Sequence, residues 1–148
     1  MVTTTPHFMT PAQRGALAGV LGALGYLPVM VLLQPTVFAI IVFAVAPAVP
    51  QTAGEFLGWL LHVAFLVPLA IALAYLVRPV RHLSALLTAG VGWSFLAGWL
   101  VAFVAAMLGL SWNLFGWVLE GAAHLVNGLV VGAVLAYVQR LAPADSAM

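Results

Sequence analysis

Four stretches of this sequence, at about 15–33, 55–77, 82–108 and 112–138, are long, apolar and almost free of charge. A transmembrane helix needs about 20 mostly apolar residues. Few other segments tolerate such a pattern. In hydrocarbon every backbone polar group must be satisfied within the chain, which leaves helices or a closed barrel. The stretches are far longer than barrel strands, so the reading is all-α: a four-helix transmembrane bundle in one integral membrane domain covering 1–148. Composition agrees. Hydrophobic residues make up 66% and charged residues 5% of the 148 residues, where a soluble domain carries roughly a quarter charged. So few charges cannot cover a water-facing surface, and the lipid bilayer is the partner this chain needs.

The same scarcity excludes whole classes of function. There is no Cys, and therefore no disulfide, thiolate metal site or iron–sulfur cluster. There is no Lys for a Schiff base and no glycine-rich loop ending in Lys, hence no P-loop. The only basic side chains besides histidine are Arg14, Arg78, Arg81 and Arg140, too sparse for nucleic acid. The first apolar run far exceeds the roughly 7–15 residues of a signal-peptide core, and Pro47 follows the Ala44-Val45-Ala46 cleavage-like triplet. The first helix is read as permanent.

Between helices, Gln34-Pro35 is expected to stop the first span, Arg78-Pro79-Val80-Arg81 forms a charged turn, and Gly109-Leu110-Ser111 a tight hairpin. Pro28 and Pro68 are expected kink points. Residues 36–49 are apolar but only about 14 long, too short to span. Joined straight onto the first helix they would make a run of about 48 Å. They are read as an interfacial or re-entrant segment on the outer side, with a kinked extension of the first helix as the rival. Arg14, Arg78, Arg81 and Arg140 all fall on one side of a four-span chain. The positive-inside rule makes that side the cytoplasm of a bacterial or archaeal inner membrane, with cytoplasmic tails at 1–13 and 140–148.

Small residues at four-residue spacing mark close helix packing: Gly15, Gly19 and Ala23; Gly90, Ser94, Gly98, Ala102 and Ala106; Gly128, Gly132 and Ala136. These faces serve packing within the chain or a homo-oligomer seam. A shift of 62 residues lays His62 on His124, Tyr75 on Tyr137 and Arg78 on Arg140. The rarity of these residue types here makes the match informative. It implies two tandem helical hairpins related as parallel repeats about an axis along the membrane normal. Helices one and three match less well, through Ala18-Gly19-Val20 on Ala89-Gly90-Val91. The Tyr75–Arg78 and Tyr137–Arg140 pairs read as anchors at the inner interface. The histidines then lie at equal depth, about 20 Å from the tyrosines.

Glu120, His124 and Asn127 share one face of the last helix at i, i+4 and i+7. With His62 they form the one polar constellation inside the spans, and intramembrane ionisable groups mark function by default. Three readings stay open. A structural clamp across helices suits a non-enzymatic packing protein or a subunit of a membrane complex. Alternatively, His62 and His124 ligate a b-type haem, or Glu120, His124 and His62 hold a metal ion or a quinone head group. Alternatively, Glu120 and the histidines relay protons or line a path for a small solute. No catalytic residue is assigned.

The run from His124 through Gly128 and Gly132 to Ala136-Tyr137 resembles a signature of small prokaryotic inner-membrane proteins of the YagU-like kind. There a His-x-x-x-Gly-x-x-x-Gly pattern ends in Tyr near the inner face, often in two copies. The copy starting at His62 departs from it, with Leu66 and Ala70 at the glycine positions and Pro68 between them. The resemblance covers about half the chain. It implies a four-helix membrane fold and carries no activity.

Overall fold

The computed structural model describes residues 9–32, 37–109 and 114–141, with backbone alone at 29–32, 37 and 114. The described chain is all-α: α1 Pro11–Leu32, α2 Val37–Val45, α3 Gln51–Leu76, α4 Leu83–Met107 and α5 Leu114–Arg140. Among the described residues three helices are long and apolar enough to cross a bilayer: α3, α4 and α5. The sequence-based spans for α3, α4 and α5 start or end within about four residues of these helices.

Helix α1 begins at Pro11, before the expected Gly15, for a local reason. Thr10-Pro11-Ala12-Gln13 closes a capping box: the Gln13 N–H donates to Thr10 Oγ1 at 3.2 Å and the Thr10 N–H to Gln13 Oε1 at 2.8 Å. Proline at the first helical position adds a pre-set φ. Residues 11–13 are therefore helix rather than tail. The tail segments 1–8 and 142–148, and the Gln34-Pro35 stop, lie outside the described residues. Both α1 and α3 run on through their internal prolines, Pro28 and Pro68. Gly109, at φ 75°, ends α4 in the left-handed conformation that glycine adopts without a Cβ clash; the remainder of that turn, 110–113, also lies outside the described residues.

Segment 36–49 contains a helix of its own. Phe38 meets the His62 ring, Ala39 presses its backbone on Gly58, and Phe43 covers Gly54. Helix α2 thus runs antiparallel to α3 over the Gln51–His62 half. Its far side meets α4, where Val101 and Ala105 pack against Phe38, Ile41 and Phe65. It wedges between α3 and α4 at that end. At the other end the two helices are joined directly, by Trp93 Nε1 donating to the Leu69 carbonyl at 2.8 Å.

The long helices pair antiparallel. In the α4–α5 pair the backbones nearly touch: a Cβ placed on Gly128 would stand 2.5 Å from Val91 Cα, and one on Gly132 2.8 Å from Leu87 Cα. In the α1–α3 pair, Gly19 faces Val67 and Ala70. Helix α1 also packs along α5, with Gly22 against Asn127 and Val131. The small-residue faces at 15–19, 90–94 and 128–132 are consumed inside the chain. Ala102 and Ala106 are different: they lie past Gly98, where α4 and α5 part. The main apolar core joins Ala18, Ala70, Leu73, Leu86, Val131 and Leu135 at the Arg78 end.

Candidate functional site

Above that core, α1, α3, α4 and α5 converge on the polar residues. Glu120, His124 and Asn127 are all buried on α5, as are Ser94 on α4, Tyr26 on α1 and His62 on α3. One hydrogen-bonded chain joins five of them. Tyr26 Oη donates to Glu120 Oε2 at 2.5 Å. Glu120 Oε1 meets His124 Nε2 at 3.1 Å. His124 Nδ1 meets Ser94 Oγ at 3.2 Å, and the Ser94 hydroxyl donates to Asn127 Oδ1 at 2.9 Å. With the Ser94 proton directed at Asn127, its oxygen accepts from His124 Nδ1–H.

His62 stands beside this chain without joining it. Its ring lies 6.4 Å from the His124 ring and 4.4 Å from that of Tyr26, centroid to centroid. Its Nε2 is buried and has no hydrogen-bond partner among the described residues, like Trp59 Nε1 one turn away. The histidines are neighbours, as a haem or metal reading requires, but their nitrogens are not arranged for either group. Axial ligation needs a free nitrogen on each side of a porphyrin plane. His124 has both nitrogens engaged, by Ser94 and Glu120, and the Tyr26 ring stands close to both imidazoles. Among the described residues no three His, Cys, Asp or Glu side chains are placed to hold a metal ion.

An opening reaches the Glu120–His124 end of the network. Where α4 and α5 part beyond Gly98, a half-open groove of about 450 Å³ runs between them. Its walls are Phe95, Trp99, Phe103 and Trp117; Glu120 and His124 lie at its floor. Gly121 leaves the room: only Phe95, at 3.9 Å, approaches its Cβ position. Gly98 lets the His124 ring lie against α4, with Nε2 2.5 Å from where its Cβ would be.

The anchor residues gather at the far end. Tyr75, Tyr137 and Arg140 are exposed and Arg78 is half-buried. Arg14 lies close enough to Arg78 and Arg81 for their charges to act on it. Arg81 donates to the carbonyl of Gln139, whose buried side-chain amide reaches the Val77 carbonyl at 3.4 Å.

Three participants escape a reading of the sequence that follows charge: Tyr26, Ser94 and Gln139. Tyr26 carried a usable signal. It lies twelve residues along its helix from Arg14, inside an apolar stretch, and a buried Tyr hydroxyl needs a partner. Ser94 reads equally well as one more small residue in a glycine ladder.

No protein-family model matches the chain, and neither a curated protein nor a solved structure matches it. The functional reading therefore rests on the geometry above.

Proposed function

We propose that this chain is a four-span protein of a bacterial or archaeal cytoplasmic membrane, both termini cytoplasmic, serving as a non-enzymatic packing or accessory subunit of a membrane complex. Helix α1 is the fourth span: from Gly15 to Leu32 its sequence is free of charge, and it packs along both α3 and α5. Three arginines clustered at one end of the bundle support the orientation. A tandem origin is supported by register. Gly19 faces Ala70 in one pair and Gly90 faces Gly132 in the other, and the 62-residue shift lays Ala70 on Gly132. The same pattern supports kinship with YagU-like membrane proteins.

The observation that carries the accessory reading is the closed hydrogen bonding of the network. Tyr26, Ser94 and His124 direct their polar hydrogens within the network, onto Glu120, Asn127 and one another, across α1, α4 and α5. That is the arrangement of a clamp rather than of a reacting group. Two experiments test the proposal. The chain has no Cys, so Pro79→Cys supplies a single thiol, which an impermeant reagent should label only from the cytoplasmic side; labelling from outside intact cells reverses the topology. The accessory role predicts co-purification with other membrane proteins in mild detergent, and a clean monomer counts against it.

A second reading, a small-solute or proton conduit involving Glu120, is favoured by the groove that reaches that carboxylate. It predicts that Glu120→Gln abolishes flux in liposomes; unchanged flux removes Glu120 from any conduction.

A further inference from the structure

The groove between α4 and α5 has a definite chemical preference, which goes beyond a clamp. Its volume, about 450 Å³, falls among those of small-molecule sites, roughly 300–1,000 Å³. It is half-open and walled by the exposed rings of Trp99, Phe103 and Trp117, together with Phe95. In the membrane such an opening faces lipid, so its ligand arrives from the hydrocarbon and must itself be largely apolar.

The floor decides the head group. Of the ion-paired residues there, the Glu120 side chain keeps 11% of its surface exposed and that of His124 4%, so the carboxylate is the end the groove sees. Among the described residues every titratable group facing it is accounted for. Tyr26 from α1 donates to it, and His124 from α5 is paired with it. His62 from α3 turns its ring to Tyr26. Helices α2 and α4 carry no titratable side chain. The donors near the floor are thus spent within the network: the Tyr26 hydroxyl on Glu120, the His124 nitrogens on Glu120 and Ser94. What remains is acceptor capacity on a carboxylate, flanked by aromatic rings whose faces carry negative potential. Among the described residues a carbonyl-headed molecule finds no donor on the Glu120–His124 floor, only the indole N–H groups of Trp99 and Trp117 in the walls, and an anion meets a carboxylate. A hydrophobic cation is matched by both the acid and the rings.

We propose that this groove is a binding site for a hydrophobic organic monocation, an amine or quaternary onium with an apolar body, seated on Glu120 among Trp99, Phe103 and Trp117. The proposal concerns equilibrium binding and is independent of whether the ligand crosses the membrane.

The test uses the full chain in lipid nanodiscs and three probes of nearly one shape: tetraphenylphosphonium, its anionic counterpart tetraphenylborate, and neutral tetraphenylsilane. The expected result is saturable binding of the cation, at least about tenfold tighter than of either analogue, as cation–π and carboxylate contacts combine. Glu120→Gln should lose that preference. Phe103→Ala removes an exposed ring from the wall and should weaken cation binding several-fold with the fold intact; it keeps the test valid should Glu120→Gln fail to fold. Equal binding of cation and neutral probe marks a lipid-filled cleft and overturns the proposal. So does absence of saturable cation binding, or a charge preference that survives in a folded Glu120→Gln protein.

Discussion

His62 and His124 are 62 residues apart, lie on parallel helices, and place their rings 6.4 Å from each other. Their surroundings are nonetheless opposite. His124 has both nitrogens hydrogen-bonded, to Ser94 and Glu120. His62 is held among rings, Tyr26 at 4.4 Å and Phe38 at 5.3 Å, with Nε2 unpartnered among the described residues. The cause lies one turn earlier on each helix. Position 120 carries a carboxylate, and the matching position 58 is a glycine against which the Ala39 backbone of α2 packs. In the first half of the chain the turn before the histidine is spent on packing a short helix. In the second half it is spent on a polar group, and the space beside it stays open as the groove. Similar imidazoles have thus been built into a packing surface and a polar network by one residue difference and one extra helix.

The strongest way to break this comparison is at the backbone. Gly128 matches Leu66 under the same shift, so a leucine already occupies this position in the first half. In the second half a side chain there meets Val91 Cα and the Gly90 carbonyl oxygen, and neither belongs to a movable side chain. Gly128→Leu should cost about 3 kcal/mol or more, at the upper end of overpacking penalties, or yield no folded protein. Unfolding by denaturing detergent, read by α4–α5 proximity, measures it. A loss below about 1 kcal/mol would mean that the two helices can separate without harm.

Next comes the network itself. His124→Leu strips Glu120 and Ser94 of a partner at once, and a buried group left unpaired costs roughly 1–3 kcal/mol. We expect a loss of about 2–3 kcal/mol, larger than the average interhelical hydrogen bond in a membrane, near 0.6 kcal/mol. A smaller third effect is expected for Tyr26→Phe, which removes one hydroxyl and keeps the ring. Its bond to Glu120 joins α1 to α5, and its loss should cost about 1 kcal/mol. A Tyr26/His124 double-mutant cycle sharpens the point. Non-additivity of about 0.5 kcal/mol or more is the sign of one connected network, and strict additivity would divide it into two independent bonds.

The hydrophobic pattern made the three long helices legible, because each needs some twenty apolar residues with few interruptions. It also made the α5 trio legible, because Glu120, His124 and Asn127 stand out in an apolar helix. Two things were hidden. Helix α2 was ambiguous because a short apolar segment of about 14 residues satisfies neither a span nor a polar loop; its fate depends on Gly54 and Gly58 offering α3 as a docking face, which is a property of a distant segment. The partners of the trio were hidden because Tyr26 and Ser94 carry no charge and sit in helices whose patterns are satisfied without them. The 62-residue match pointed to His62 and His124 as an equal pair; proximity followed, equivalence did not, since hydrogen bonding is decided by the neighbours at 58, 94 and 120.

The smallest effect is the most diagnostic. His62→Leu removes a buried nitrogen that bonds to none of the described residues. An unsatisfied buried polar atom costs roughly 1–3 kcal/mol, and the substitution recovers that. Against it stands the loss of the ring contacts with Tyr26 and Phe38, worth about 0.5–1.5 kcal/mol for a well-placed aromatic pair. The two nearly cancel, with the orphan atom slightly ahead, so His62→Leu should change stability by less than about 1 kcal/mol and in the stabilising direction. The same unfolding assay reads it beside His124→Leu. A gap of about 2 kcal/mol or more between these chemically identical substitutions is the quantitative form of the contrast between the two halves. If His62→Leu instead costs as much as His124→Leu, then His62 is satisfied in the membrane by a partner that the bundle alone does not supply, and the first half holds a polar site of its own.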